Sequence, residues 1–504
     1  MVFNSYIFIL VFLPLCLSGY FFLNRIHHYH AGLAFLLGMS LWFYGFFNPS
    51  YLPIICGSVV LNYSLYRWMR AVALKGIGQG TKREIAFWIG IASNLGILGY
   101  FKYTDFFIEN INYLFQVDYP LKHILLPLGI SFFTFQQISF LADIYSDTRG
   151  EVAYSFLSYA AYVTYFPQLV AGPIVKHDVL VPQLQDEKRK RVDYNYLSKG
   201  IALFILGLAK KVLIADVLGN YVNLAYKDVY ALNTTTAVLA VLGYTLQIYF
   251  DFSGYSDMAV GLGWMMHIDL PVNFDSPYKS ISITEFWKRW HMTLTAFFTK
   301  YVYIPLGGSR RGNARMYANI FIVFLLSGLW HGAGWTFVFW GGIHGLAQIC
   351  ERVLRQYNQR NMLMCKVERN IQLSAVLMKL RLILGWIWTF GFVNIAWVLF
   401  RANSMTEAYV LLSQIGRCQF GVISQAMINV FAQPEWTLLW SADSRTNLKL
   451  YFVLALILAV TFPPAKQIAE QCVSRRWTAF VFAFLLAWCI FSFTGVSTFL
   501  YFNF

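Results

Sequence analysis

The sequence predicts an all-α, multi-pass integral membrane protein, and three observations predict it. The 504 residues are 58% hydrophobic and only 12% charged, where an ordinary soluble domain carries about 25% charged residues. The apolar residues come in long runs. The basic residues gather in short loops between those runs, as they do on the cytoplasmic side of membrane proteins.

The runs justify the elements in order. Ser5–Leu23, Ala31–Phe47, Tyr51–Tyr66, Ile85–Phe101, Ile124–Ile144, Tyr196–Leu218 and Thr234–Gly263 are each long enough, or nearly so, for the roughly 20-residue helix that crosses a bilayer. Lys199, Lys210, Lys211 and Asp216 interrupt the sixth. The whole chain reads as roughly eleven spans, some short or irregular. The first run has no basic n-region and no small-residue cleavage site, so it reads as a retained span. "LPLGISF" (Leu126–Phe132) and "LVAGPIV" (Leu169–Val175) break the runs with glycine and proline. Irregular backbone survives in lipid only when buried in protein or lining a cavity. A compact bundle around an internal space is the expectation.

The net charge of +15, from 39 Lys and Arg against 24 Asp and Glu, is read as cytoplasmic loop bias rather than a nucleic-acid footprint. Arg67, Arg70, Lys75, Lys82 and Arg83 share one short loop, and a second basic cluster runs from Arg352 to Arg381. With both in the cytoplasm, the N-terminus lies outside and Arg25 falls in a cytoplasmic turn. The seven cysteines are scattered without a CxxC pair and read as single thiols. There is no internal repeat, no inverted hydropathy symmetry and no room for a soluble domain. The most charged connector, "DEKRKR" (Asp186–Arg191), is only a loop. Residues 1–504 read as one membrane domain.

Polar residues are densest in Gln247–Gly345. Asp251 and Asp257 lie inside the apolar "QIYFDFSGYSDMAVGLG". A carboxylate at the bilayer centre costs at least ~2.5–3.5 kcal/mol, so each faces a partner or a water-filled cavity. They either tie helices together or take part in the reaction. Next, Ser282 or Thr284 is placed to cap a helix running through "EFWKRWHMTLTAFF". Glu285 and Arg289 have the i,i+4 spacing of a helix ion pair that holds this helix. Its tryptophans and mixed charge suit the membrane interface, and His291 taken alone reads as an interfacial or hydrogen-bonded histidine.

Met316–Ile349 is 34 residues without Asp, Glu, Lys or Arg. As a straight helix it would run about 51 Å, too long for one crossing of a ~30 Å core and slightly short for two. Basic residues flank both ends. The simplest geometry is a pair of short or re-entrant helices broken near Gly332 and Gly334; one long tilted helix is the alternative. His331 falls at the break, deep in the segment. Neutral imidazole is tolerated there far better than a carboxylate or ammonium, and it can accept a proton from an attacking hydroxyl. No HxxxH or HxxE spacing supports a metal, and no GxSxG elbow supports a serine nucleophile. His344 would lie about 220° from His331 on a continuous helix and reads as structural.

"YFDFSGYSDMAVGLG", "FDSPYKSISITEFWKRWHMTLTAFF", "YVYIPLGG" and "GLWHGAGWTFVFWGGIHG" occur in that order. The set resembles the membrane-bound O-acyltransferase (MBOAT) family, in its bacterial branch that O-acetylates alginate, peptidoglycan or cellulose. "LPLGISFFTFQQISFLADIYSD" and "YFPQLVAGPI" extend the resemblance upstream; residues 352–504 match least and offer a place for partner choice. The resemblance implies a ring of tilted helices around a funnel and a tunnel. It implies that His331, with Trp330 beside it in "LWHG", is the acyl-transfer residue and His291 the second. It implies acetyl-CoA as a cytoplasmic donor, no permanently bound cofactor, an extracytoplasmic polysaccharide acceptor and a periplasmic or surface-exposed transferase partner, all in a bacterial inner membrane. Two alternatives stay open: a D-alanyl or longer-chain acyltransferase of the same fold, and a transporter relaying protons through Asp251, Asp257 and His331.

Overall fold

The computed structural model describes residues 1–75, 80–364, 371–432, 443–472, 475–493 and 499–500. Among the described residues every regular element is helical, with no strand. Among the described residues, five helices are long and apolar enough to cross a membrane: Phe8–Arg25, Gly80–Phe115, Thr234–Met265, Met378–Arg401 and Ser444–Thr461. The chain divides into two compact units. The first comprises Met1–Ala209, Gly254–Val272 and Ala465–Phe504; the second comprises Lys210–Ser253 and Asn273–Pro464.

The first unit opens with α1 (Leu13–Arg25), α2 (Tyr29–Gly45), α3 (Leu52–Lys75), α4 (Gly80–Leu98), α5 (Ile130–Ser146) and α6 (Tyr194–Ala209). Buried polar side chains join three of these helices where lipid could not satisfy them. The Asn94 amide donates to Asn62 Oδ1 at 2.6 Å, Gln137 donates to Ser58 Oγ at 2.8 Å, and Tyr159 donates to Gln137 at 3.2 Å. The expected irregular stretch after Leu169 is present and buried. Its backbone is tied down by side chains: Gln168 donates to Tyr162 O, and Tyr162 OH donates to Val175 O. Arg83 and Arg70 reach the segment that follows α5. The first caps the carbonyls of Ile144, Tyr145 and Asp147, and the second caps that of Gly150. The basic residues expected to share one loop instead lie on helices: Arg67, Arg70 and Lys75 end α3, and Lys82 and Arg83 begin α4.

In the second unit the chain passes through a π-helical turn, Lys210–Ala215, into α7 (Asp216–Lys227) and α8 (Thr234–Met265). Residues 234–253 of α8 belong to this unit and 254–265 to the first. A π turn displaces the helical ladder. Tyr451 OH lies 2.6 and 3.0 Å from the carbonyls of Leu213 and Ile214 in that turn. Then come α9 (Ile283–Arg289), α10 (Met292–Phe298), α11 (Asn313–His331), α12 (Trp335–Met364), α13 (Ile371–Arg401) and α14 (Ser444–Thr461), which carries Tyr451. Residues 365–370, inside the second basic cluster, lie outside the described residues.

Two sequence expectations meet this unit directly. The charge-free segment is broken at Gly332–Gly334, with Gly332 extended at φ −161°, ψ 151°. The halves are not short, however: α11 has 19 residues and α12 has 30, so α12 runs well past Ile349. They pack as an antiparallel hairpin along a glycine seam. A Cβ on Gly328 would lie 2.2 Å from the Phe337 carbonyl oxygen, and one on Gly341 would lie 2.2 Å from that of Phe324. Only glycine lets the two backbones approach this closely. The second expectation, one helix through "EFWKRWHMTLTAFF", is corrected. Ser282 does cap it, accepting from Glu285 N–H at 3.1 Å, but the helix stops at Arg289 and restarts at Met292. Trp287 and Trp290 are 5% and 1% exposed, so these tryptophans belong to the protein interior, not to a lipid interface.

Candidate active site

His331 is the last residue of α11, where the extended Gly332 stops the helix. It is 2% exposed and enclosed by rings. Ring centroids of Trp330, Trp340 and Phe400 lie 4.8, 5.1 and 5.1 Å away, all edge-on. The His291 ring is 6.5 Å away.

His291 reaches that position by a strained route. It sits between α9 and α10 at φ 45°, ψ 53°, a left-handed conformation that costs a non-glycine residue roughly 1–2 kcal/mol. Asn273 holds the turn. Its carbonyl accepts from Met292 N–H at 3.0 Å, and its Oδ1 accepts from the Thr293 hydroxyl at 2.6 Å. The ring is fully buried against Phe252 of α8, 4.7 Å away. Strain retained at a buried ionisable residue is a pointer to function.

An aromatic frame fixes both rings. Trp397 stacks on Trp340 at 5.8 Å and lies 5.0 Å from Trp290. Its N–H donates to Tyr278 OH at 3.2 Å, and Tyr278 OH donates to the Thr245 carbonyl at 2.6 Å. Trp397 and Phe400 come from α13, in the region whose motifs match least. The sequence reading missed them because aromatic residues in an apolar helix carry no local signal of what they will touch.

His344 stands farther along α12. The broken helix removes the premise of the 220° separation. Its ring is 4.9 Å from Trp340, and its Nδ1 accepts a hydrogen bond from the Trp287 indole at 3.2 Å.

The remaining candidates lie elsewhere. Asp251 is 2% exposed and pairs with Lys211 at 2.6 Å; Lys211 also pairs with Asp216 at 2.7 Å. Lys211 entered the sequence reading only as an interruption of an apolar run, because nothing local couples it to a carboxylate forty positions later. Glu285 and Arg289 pair at 3.0 Å as expected, and Arg289 also reaches Asp275 at 3.5 Å. Arg289 and Glu285 are each about a third exposed and Asp275 about half. Asp257 is half-buried and belongs to the first unit.

A cavity of about 310 Å³ lies between α9, α10, α11 and α12, and neither His331 nor His291 lines it. Its lining includes Thr284, Lys288, Gln348 and Arg352 beside Trp287, Phe324 and Ser327. Ile320, Val323, Phe324 and Ser327 form one face of α11 by their spacing, and His331 is one turn beyond Ser327.

Several known proteins are similar to this one in sequence. The pattern of the MBOAT, membrane-bound O-acyltransferase family matches residues 146–393. A peptidoglycan O-acetyltransferase of Helicobacter pylori is 38% identical, over 82% of this chain and 79% of its own. A protein of Pseudomonas putida named "Probable alginate O-acetylase AlgI" is 37% identical, over 85% and 83%. A teichoic acid D-alanyltransferase of Bacillus subtilis is 27% identical, over 49% and 64%. These likenesses set the transporter alternative aside. A multi-pass helical chain with these relatives belongs to the membrane-bound O-acyltransferase family and is an O-acyltransferase.

Proposed function

We propose that this chain moves an acetyl group from cytoplasmic acetyl-CoA towards the O-acetylation of an extracytoplasmic polysaccharide, with peptidoglycan and alginate as the leading acceptors. It sits in a bacterial inner membrane with its N-terminus outside, and a periplasmic or surface-exposed transferase completes delivery. The relatives named for peptidoglycan and alginate support this reading over D-alanyl transfer: they match at 37–38% across most of the chain, and the D-alanyl relative matches half of it at 27%.

The observation that carries the assignment of roles is the meeting of His331 and His291, both buried, one turn from residues of a cavity whose lining includes Lys288 and Arg352. The donor thioester enters along that cavity, with Lys288 and Arg352 facing its phosphates. His331 takes the proton of the acceptor hydroxyl as its oxygen attacks the thioester carbonyl carbon. The C–S bond breaks, and the proton passes on to the departing thiolate. His291 steadies the acyl carbonyl oxygen. Asp251 and the Glu285–Arg289 pair hold the scaffold.

His331→Ala tests this. Acetyl esters on cell-wall and exopolysaccharide fractions are measured beside the protein level in the membrane. Loss of esters at normal abundance is the expected result; unchanged esters would sink the assignment.

A further inference from the structure

The antiparallel hairpin of α11 and α12 sets the order of the groups along the cavity. Ile320, Val323, Phe324 and Ser327 follow one another along α11 towards His331. On α12 the direction is reversed. A Cβ on Gly345 would lie 3.1 Å from Phe321 and 3.3 Å from Phe324, and Arg352 Nη1 lies 3.8 Å from Met316 Sδ. Gln348 falls between those two contacts, beside residues 316–321 of α11. Of the lining residues on the hairpin, Gln348 and Arg352 are therefore remote from His331, and Ser327 is near it. Met316 and His331 stand on one helix, α11, about 22 Å apart along its axis.

Both remote groups have bonding capacity that the described residues do not use. Gln348 is 6% exposed and lines the cavity, and its carboxamide makes no hydrogen bond among the described residues. Buried polar side chains are nearly always paired, so a buried carboxamide on a cavity wall is placed to meet a ligand. Arg352 has no ion pair among the described residues. Glu351 beside it is taken by Arg355 and by the Thr284 N–H. A guanidinium is always charged and suits a phosphate or carboxylate. Gln348 and Arg352 are four positions apart on α12, the spacing that puts two side chains on one face.

We propose that Gln348 and Arg352 select the donor by its arm: the Gln348 carboxamide pairs with an amide of a phosphopantetheine chain, and Arg352 binds the phosphate behind it. This rests on the reading that the acyl donor enters the cavity. The order along the hairpin matches the order along such a donor, which runs from anion through amides to thioester. Ile320, Val323 and Phe324 give its methylenes an apolar wall. A phosphate level with Arg352 and a thioester level with His331 need an arm of about 22 Å between them. Acetyl phosphate carries its acyl group on the phosphate itself and cannot bridge that length. Neither residue touches the reacting atoms, so both act on donor affinity.

The test measures kcat/KM for donor consumption by the full-length protein in membrane vesicles, with His331→Ala vesicles as the blank. The donors are acetyl-CoA, acetyl phosphate and S-acetylpantetheine, which keeps the amides and lacks the phosphates. Losing one neutral hydrogen bond to a ligand is worth about 3–10-fold, and losing one to a charged group about tenfold or more. Wild type should prefer acetyl-CoA to S-acetylpantetheine by about tenfold or more and should not use acetyl phosphate. Gln348→Met keeps length and bulk and loses the amide. It should lower kcat/KM by about fivefold for both thioesters, through KM and not kcat. Arg352→Gln should lower it about tenfold for acetyl-CoA and less than about twofold for S-acetylpantetheine, a split that a merely distorted cavity would not give. Wild type that consumes neither thioester, or uses acetyl phosphate as readily, overturns the donor reading and this proposal with it. Variants that keep the wild-type values at normal folded yield, or an Arg352→Gln that loses both thioesters alike, overturn this proposal and leave the donor reading standing.

Discussion

Two polar clusters in the second unit are equally hidden from solvent and are built on opposite rules. Lys211 and Asp251 are each 2% exposed, as is His331, and His291 is fully buried. The lysine cluster is ionic: one ammonium lies between two carboxylates, Asp216 and Asp251, at contact distance. The histidine cluster packs against indole and phenyl rings at 4.7–5.1 Å. Ions inside a low-dielectric interior have to neutralise each other, and removing one leaves the other buried and unpaired. A neutral imidazole carries no such requirement. It can remain uncharged at rest and still take a proton when substrate brings one. On the proposed reading, the lysine cluster is a structural pin and the histidine cluster the catalyst.

Substitutions can break that distinction. The largest effect belongs to His331. A general base contributes about 10²–10⁴-fold, so His331→Gln should lower acetyl transfer by that order while thermal unfolding in detergent changes little. Lys211→Met should do the reverse. Removing one partner of a buried ion cluster costs about 3–5 kcal/mol, and the expected readout is loss of folded protein in size-exclusion profiles. Adding Asp251→Asn should recover part of that yield, because it removes the stranded charge. No second substitution should recover activity in His331→Gln. If Lys211→Met folds normally, the cluster is not the pin described here.

Gly328→Ala tests the hairpin that presents His331. The added methyl meets the Phe337 carbonyl oxygen at 2.2 Å in the present packing. Overpacking of this kind costs about 1–3 kcal/mol, and the helices must part to relieve it. Lower thermal stability and lower activity should appear together, unlike either cluster variant. The smallest effect is Arg289→Gln. Its pairs with Glu285 and Asp275 are partly exposed, and pairs of that kind contribute about 0.2–1 kcal/mol. Unfolding temperature should shift by no more than a few degrees, and added salt should shrink the difference between variant and wild type.

Much of the site was legible in the sequence, for reasons that can be named. A histidine beside glycines in a 34-residue stretch without Asp, Glu, Lys or Arg marks both a helix break and a group that the membrane tolerates only for cause. That located His331 and the interruption at Gly332. The i,i+4 spacing of Glu285 and Arg289, and Ser282 three residues before Glu285, foretold an ion pair and a cap, because both interactions are local. The helix through His291 was misread. Its break is imposed by Asn273, which binds Met292 and Thr293 from about twenty positions away, and no local pattern encodes that contact.

The sequence by itself determined the solvent, the helical class and the deep histidine, because hydropathy over a run, glycine at a break and spacing within a turn act between near neighbours. The tertiary structure alone decided which residues surround that histidine. Trp340 and Trp397, fifty-seven positions apart, stack only after α12 and α13 pack. Lys211 meets Asp251 only after the π turn is set beside α8. The pin between Trp287 and His344 forms only because the hairpin folds back against α9. Those contacts depend on long-range packing, in which any apolar face can in principle meet another, so the one that forms is settled by the fit of the whole unit.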